Sequence, residues 1–243
     1  MRPLSAAELL SVWERGAAQQ SAGRALALLA ASCPDEGADA LARLSVGARD
    51  ARLLRLREWT FGPRLSCVGE CPGCGQRLEL ALEVSDLLAS GASEARGELT
   101  LAADGFEVRF RLPDSSDLIA IGRGGAAGAR RRLLERCLLS VRRGGEEAAA
   151  SDLPDGLLDG VAAEMARADP QADVQLSLTC PDCGHRWDSP FDIVSYFWAE
   201  LHTWAQRVLR EVHALAAAYG WRESDILALS PLRREMYLQM VGG

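Results

Sequence analysis

The sequence contains no lysine and no asparagine, so all 27 basic residues are arginine. Codon usage in a GC-rich genome accounts for this bias. No apolar run approaches the roughly 18 residues that a bilayer-spanning helix needs, and residues 1–32 carry charges where a signal peptide would have its apolar core. The net charge of −7 argues against a protein that mainly contacts a phosphate backbone. We therefore expect a cytoplasmic protein with no membrane partner.

Patterns typical of enzymes are also missing. The sequence has no G-x-S-x-G or H-E-x-x-H motif, and its three histidines, His185, His202 and His213, do not form an i, i+4 metal-binding pair. Residues 122–128 are glycine-rich but fit only a relaxed G-x-G-x-x-A pattern outside any βαβ unit. We expect a protein that is not an enzyme, with no catalytic residue, no cofactor-binding residue and no small-molecule substrate.

The cysteines form the most informative pattern in the chain. In a reducing compartment, seven cysteines favour metal binding or buried thiols over disulfides. Four of them stand in two copies of Cys-Pro-x-Cys-Gly, as Cys71, Cys74, Cys180 and Cys183. Each copy supplies half of a tetrahedral shell of four thiolates, and the glycine permits the tight turn. The sequence therefore predicts one structural zinc ion (Zn2+) bound by these four residues, with no coordination position left for catalysis.

The two cysteine segments also match outside the cysteines. When Cys71 is aligned with Cys180, Leu78 falls opposite Trp187, and each copy reads as strand, turn, strand and helix. We expect two pseudo-symmetric hairpins around one ion, although 105 residues lie between the two copies. A redox dithiol in each segment and two zinc ions shared across a dimer are the alternatives.

The remaining candidate ligands fit this scheme less well. Cys67 precedes the first copy, but the second copy has no equivalent cysteine, so we expect a buried strand thiol. Cys33 and Cys137 are expected to be core or surface thiols near helix ends. His185 follows the second copy directly and is expected to lie beside the metal site without binding the ion.

Hydrophobic periodicity predicts a mainly helical α+β fold with a small antiparallel β part and a four-cysteine zinc ribbon built from two distant hairpins. Helices are expected at residues 5–19, 21–32, 46–60, 129–141 and 153–168, with loops at 91–97 and 142–151. The third of these helices has Trp59 on its apolar stripe. A hairpin turns at Asp104-Gly105, and a long amphipathic helix runs from Asp192 to Gly220, before two short helices.

These elements divide the chain into three regions. Residues 1–63 form an N-terminal helical region. Residues 64–191 contain the ribbon (64–84 and 174–191) with an inserted hairpin and helices (85–173). Residues 192–243 form a C-terminal helical region.

Two groups of residues carry a resemblance to a known family. The C-terminal group comprises 198–201 (WAEL), 208–216 (VLREVHALA), 219–221 (YGW), 226–230 (ILALS) and 233–238 (RREMYL). The second group comprises 47–54 (GARDARLL) and 61–63 (FGP), followed by the first cysteine pair. Together they resemble the T4-like phage baseplate hub assembly chaperones, in particular relatives in phage-tail-like extracellular contractile injection systems. The resemblance covers much of 47–88 and 174–241.

The resemblance implies a non-enzymatic assembly factor or structural component of a contractile injection system. Its partners would be baseplate, hub or spike proteins, and it would be cytoplasmic in a bacterium or incorporated into an assembled particle. The alternative is a zinc-ribbon nucleic-acid-binding regulator, which the basic stretch Arg130, Arg131, Arg132 and Arg136 would support. A solvated helix face is the more common role of such a stretch.

The C-terminal region is the expected partner surface. Its long helix should bury one stripe in the core, formed by Leu201, Trp204, Val208, Val212 and Leu215. Four arginines, Arg207, Arg210, Arg233 and Arg234, are then left as candidates for the partner face. We therefore expect residues 192–241 to contain much of the contact surface for a hub or baseplate protein.

Overall fold

The computed structural model describes residues 1–89, 97–122 and 128–241. Most of the expected loop at 91–97 and of the glycine-rich segment at 122–128 lies outside these residues. The helices are α1 (Ala6–Gly16), α2 (Ser21–Ser32), α3 (Ala38–Ala42), α4 (Val46–Phe61), α5 (Val84–Leu87), α6 (Ser115–Gly122), α7 (Ala129–Cys137), α8 (Asp155–Ala168), α9 (Ile193–Tyr219), α10 (Glu223–Ala228) and α11 (Pro231–Val241). The strands are β1 (Arg64–Glu70), β2 (Arg77–Glu83), β3 (Leu99–Ala103), β4 (Phe106–Phe110), β5 (Leu138–Arg143), β6 (Glu146–Glu147), β7 (Gln175–Thr179) and β8 (Arg186–Pro190).

The main hydrophobic core joins helices from both ends of the chain. Helices α1, α2 and α4 pack against the first half of α9, and Leu28, Leu53 and Phe197 are completely buried between them. The predicted apolar stripe of α4 is wrong at Trp59, because this residue is 45% exposed. Arg57 takes a buried position instead, since it lies about 200° from residue 59 around the helix.

Local signals set the ends of several helices. Ser5 and Glu8 form a capping box at the start of α1. Asp192 caps α9 by accepting hydrogen bonds from the amides of Val194 and Ser195. Gly220 ends α9 with φ at 68°, in the left-handed region that glycine enters without strain.

The insert between the two cysteine segments has a core of its own. Strands β3, β4, β5 and β6 form an antiparallel four-stranded sheet in that order, and α8 packs with it around Val108, Phe110 and Val161. The turn predicted at Asp104-Gly105 joins β3 to β4. The predicted helix over 129–141 is too long, and the predicted loop at 142–151 is partly wrong. The chain leaves α7 at Cys137 because residues 138–143 pair with β4.

A few polar side chains join this insert to the helical body. The Asp169 carboxylate accepts a hydrogen bond from the amide of Gly47 at the start of α4, at 2.9 Å. Near the end of the insert, the side-chain amide of Gln171 accepts from the amide of Ala89 at 2.7 Å and donates to the carbonyl of Leu87 at 3.1 Å, which ties it to α5, whose Leu87 packs in the main core. The predicted fold class is confirmed: the protein is mainly helical, with small antiparallel sheets and four cysteines brought together from two distant hairpins.

Within the described residues, no helix is both long enough and apolar enough to cross a membrane.

Candidate metal centre

Two separate hairpins present the four cysteines. Strands β1 and β2 pair from Arg64↔Glu83 to Glu70↔Arg77, and strands β7 and β8 pair from Gln175↔Pro190 to Thr179↔Arg186. A cysteine turn closes the tip of each hairpin. Hairpin pairing therefore fixes the direction in which each Cys-x-x-Cys turn points.

The two cysteine turns have the same backbone hydrogen bonds. The amide of Gly75 donates to the carbonyl of Cys71 at 2.8 Å, and the amide of Gly184 donates to the carbonyl of Cys180 at 3.0 Å. These glycines have φ of 76° and 72°, which a residue with a side chain rarely adopts. The resemblance between the two sequence segments thus extends to their geometry.

The four sulfur atoms form one compact cluster. All four lie within 4.8 Å of one another. The sulfurs of Cys71 and Cys183 are 3.7 Å apart, and so are those of Cys74 and Cys180. A zinc–sulfur bond of about 2.3 Å gives a tetrahedron whose edge is about 3.8 Å. The sulfur spacing therefore fits a tetrahedral ion, and the cluster could hold a metal.

The surroundings bury one cysteine of each hairpin. Cys71 and Cys180 are each 1% exposed, and Leu78 and Trp187 pack against them. Cys74 and Cys183 lie at the surface. Leu78 and Trp187 occupy equivalent positions in the two sequence copies, so each hairpin covers the sulfur cluster with the same strand position.

The cysteine thiols influence one another's ionisation. A hydrogen bond from the amide of Cys183 lowers the pKa of Cys180 to about 7, although burial opposes this change. The Gln76 amide lowers the pKa of Cys74, but contact with the Cys183 sulfur, burial and the other two sulfurs raise it overall to about 12. Neighbouring thiolates repel one another, and a divalent cation between them would remove this cost.

The other cysteines and His185 lie outside the cluster. Cys67 is half-buried, and burial raises its pKa. Cys33 and Cys137 are buried. The His185 ring stacks on Trp187, with 5.9 Å between ring centroids. None of the four belongs to the sulfur cluster, and that none of them binds an ion stays a prediction.

The basic stretch on α7 is largely engaged by acidic residues. Arg130 pairs with Asp159 at 2.7 Å, and Arg131 pairs with Asp155 at 3.1 Å on the adjacent α8. Arg136 reaches the buried Asp117 at 3.1 Å. These ion pairs hold α7 to its neighbours and neutralise charge that a nucleic acid would require, so the nucleic-acid alternative is not favoured.

The C-terminal helices place one predicted partner residue in the interior. Arg234 is 4% exposed and donates to Glu211 at 3.0 Å and to the carbonyl of Leu229 at 2.9 Å. It ties α11 to α9 and does not face a partner. Arg207, Arg210 and Arg233 are exposed. On the predicted inner stripe, Trp204 is only half-buried.

Sequence patterns did not identify a buried ion pair between α4 and α9. The Arg57 guanidinium donates to both oxygens of Glu200, at 2.8 and 2.7 Å. Tyr196, one turn before Glu200, donates from its hydroxyl to Glu200 at 3.3 Å. The sequence offered one signal for this pair, which was an arginine on an otherwise apolar helix face. A charge buried there requires a partner of opposite charge.

The family model described as T4 bacteriophage base plate protein matches residues 6–198. This match includes both cysteine pairs and the insert. It ends at Trp198, so most of the C-terminal residues that carried the resemblance lie beyond it. Comparisons with curated proteins and with solved structures found no significant match.

Proposed function

Because the chain belongs to the T4 bacteriophage base plate protein family, we propose that it is a baseplate or hub assembly factor, or a structural component, of a contractile phage-tail-like injection system. Family membership indicates a structural or assembly role in a phage baseplate. The match over residues 6–198 carries the proposal. The protein would act non-enzymatically, through contacts with baseplate, hub or spike proteins.

We further propose that Cys71, Cys74, Cys180 and Cys183 bind one zinc ion. Four thiolates form a soft donor set, and the 3.7 Å sulfur spacings support a tetrahedral ion. Bound there, zinc would link the two hairpins and have no open position for a reacting water. The ion would therefore have a structural role.

We propose the same three regions as before, 1–63, 64–191 and 192–243. The separate core of the insert supports an independent packing unit inside the second region.

The exposed residues of 192–241 remain our candidate partner surface, now without Arg234. Charge reversal at Arg210 and Arg233 should weaken pull-down of a baseplate partner while metal content and melting temperature stay unchanged, since exposed charges mainly affect recognition.

Gene deletion in the producing bacterium tests the proposed function. We expect the deletion strain to form few particles with complete baseplates in negative-stain electron microscopy, and expression of the wild-type chain to restore them. Mass spectrometry of purified particles would distinguish a retained component from an assembly factor that leaves. Normal numbers of particles with complete baseplates in the deletion strain would disprove the proposal.

A further inference from the structure

A surface groove lies away from the cysteine cluster, where the end of α4 and the start of β1 meet α9. Its volume is about 590 Å³, within the usual range of binding pockets. Phe61 and Trp204 supply apolar walls, and Arg64 and Arg207 are exposed lining residues. The groove therefore combines aromatic surface with positive charge, in a protein whose net charge is −7.

The polar groups on the floor of the groove already have hydrogen-bond partners within the protein. Arg57 is bound by both oxygens of Glu200 and donates to the carbonyl of Gly62 at 2.7 Å. The hydroxyl of Tyr196 accepts from the amide of Ser66 at 3.0 Å. These contacts neutralise the acidic group of the floor and hold the edge of β1 in place. A ligand would consequently meet a rigid floor without an unpaired acid.

The two lining arginines are less engaged than Arg57, whose guanidinium is held by both oxygens of Glu200. Arg64 makes no ion pair with any residue that the structure describes. Its neighbour across the strand is Glu83, an exposed residue whose backbone amide donates to the Asp86 carboxylate at 2.9 Å. The Arg207 side chain is 65% exposed, and its Nε lies 3.6 Å from a carboxylate oxygen of Glu211. This distance is typical of a weak surface pair. Two positive charges are thus available to an anionic ligand.

Beyond the groove, β1 presents the exposed apolar side chain of Val68, with Glu79 opposite it on β2. Side chains alternate between the two faces of a strand, so Arg64, Ser66 and Val68 share a face. The Val68 side chain is 57% exposed. An occupant that touches Phe61, the two arginines and Val68 together must be extended, which fits a peptide segment better than a small anion.

We propose that this groove binds an acidic peptide segment of a baseplate partner, with carboxylates at Arg64 and Arg207 and an apolar side chain against Phe61 and Trp204. The inference rests on the proposed function for the origin of the partner. Charge complementarity and the mixed aromatic and cationic lining select the occupant.

The test uses the full-length protein and a labelled, blocked probe peptide, acetyl-Gly-Glu-Phe-Glu-Leu-Gly-amide, in fluorescence anisotropy. We expect saturable binding that weakens as salt increases. Replacing both glutamates of the peptide with glutamine should weaken binding about tenfold or more, and so should the protein variant Arg64→Gln/Arg207→Gln. Arg55→Gln is the matched control, because Arg55 is exposed on the opposite side of α4, and it should bind like wild type.

Two outcomes would overturn the peptide assignment. One is equal binding of the acidic and glutamine peptides. The other is competition by free glutamate at the concentration at which the unlabelled peptide competes, because this would indicate a small-anion site. Unchanged melting temperature and metal content would verify that the double variant is folded.

The same double variant separates this inference from the proposed function. We expect it to restore fewer complete particles than wild type in the deletion strain. If it restores them fully while the deletion strain lacks them, the groove assignment is wrong and the baseplate role stands. If the deletion strain assembles normally, the baseplate role itself is wrong, whatever the peptide result.

Discussion

Individual residues at the cysteine cluster differ in what surrounds them. Cys71 and Cys180 are buried against Leu78 and Trp187, whereas Cys74 and Cys183 reach the surface. Loss of any one thiolate would leave three ligands for the proposed ion, so each should matter for affinity. Loss of a buried cysteine also disturbs the packing beneath the cluster.

Our first prediction concerns the ligand set. Purified protein should contain about one zinc per chain by elemental analysis, and Cys71→Ser or Cys180→Ser should each lose most of it. Cys67→Ser is the matched control, because Cys67 lies on β1 outside the cluster, and it should keep its zinc. Full zinc occupancy in both ligand variants would show that the ligand set is wrong.

Our second prediction concerns Gly47, which lies at the join between α4 and the insert. A Cβ atom here would collide with the Asp169 carboxylate and lie 2.9 Å from the backbone nitrogen of Ala172. Gly47→Ala should therefore lower the free energy of unfolding by about 1–3 kcal/mol, as measured by urea denaturation. Gly156→Ala, with open space around its Cβ on α8, should instead stabilise by up to about 1 kcal/mol. If both substitutions changed the free energy of unfolding equally, the close approach of Asp169 to Gly47 would be contradicted.

At the scale of secondary-structure elements, the contact between α4 and α9 is one of those that join the two ends of the chain. Most of this interface is apolar, but it contains the Arg57–Glu200 pair. The Arg57 side chain is 2% exposed and the Glu200 side chain is 29% exposed. Removing one member of a buried pair leaves its partner without compensation, which costs more than losing a surface pair.

Our third prediction compares these two kinds of ion pair. Arg57→Met should lower the free energy of unfolding by about 2–3 kcal/mol, below the full cost for a completely buried pair because Glu200 can still reach water. Arg52→Met removes an exposed pair with Glu36 from the same helix and should cost about 0–1 kcal/mol. Urea denaturation of both variants measures the difference. Equal losses would mean that the α4–α9 pair is not a special stabilising contact.

At the scale of the whole molecule, the cysteine cluster joins segments on either side of the insert. Cys74 and Cys180 are separated by 105 residues, and each hairpin leads towards the helical core. An ion that binds only the folded state contributes its binding free energy to folding. The protein should therefore depend on the ion beyond the immediate cluster.

Our fourth prediction is that chelation lowers the melting temperature, by on the order of 10 °C. Hydrogen exchange should increase mainly at residues 64–83 and 175–190, and less in the insert, which has its own core. Added zinc should reverse both changes. An unchanged melting curve after complete metal removal would show that the cluster does not stabilise the fold.

The sequence by itself determined the features that depend on local spacing. The duplicated Cys-x-x-Cys pattern was sufficient to predict that Cys71, Cys74, Cys180 and Cys183 come together, because each turn contributes two thiols on one side of a hairpin. The same holds for α9, whose apolar period and terminal residues Asp192 and Gly220 act within a few positions along the chain.

The tertiary structure decided the local conformation and the burial of residues at positions where distant partners compete with local preference. Residues 138–143 became a strand because β4 offered a pairing edge. Arg57 and Arg234 became buried because Glu200 and Glu211 lie within hydrogen-bonding distance, and Gly47 is constrained by Asp169 from across the molecule. A pattern within one segment does not contain these partners, since the cost of burying a charge or bending a helix depends on what the folded chain places beside it.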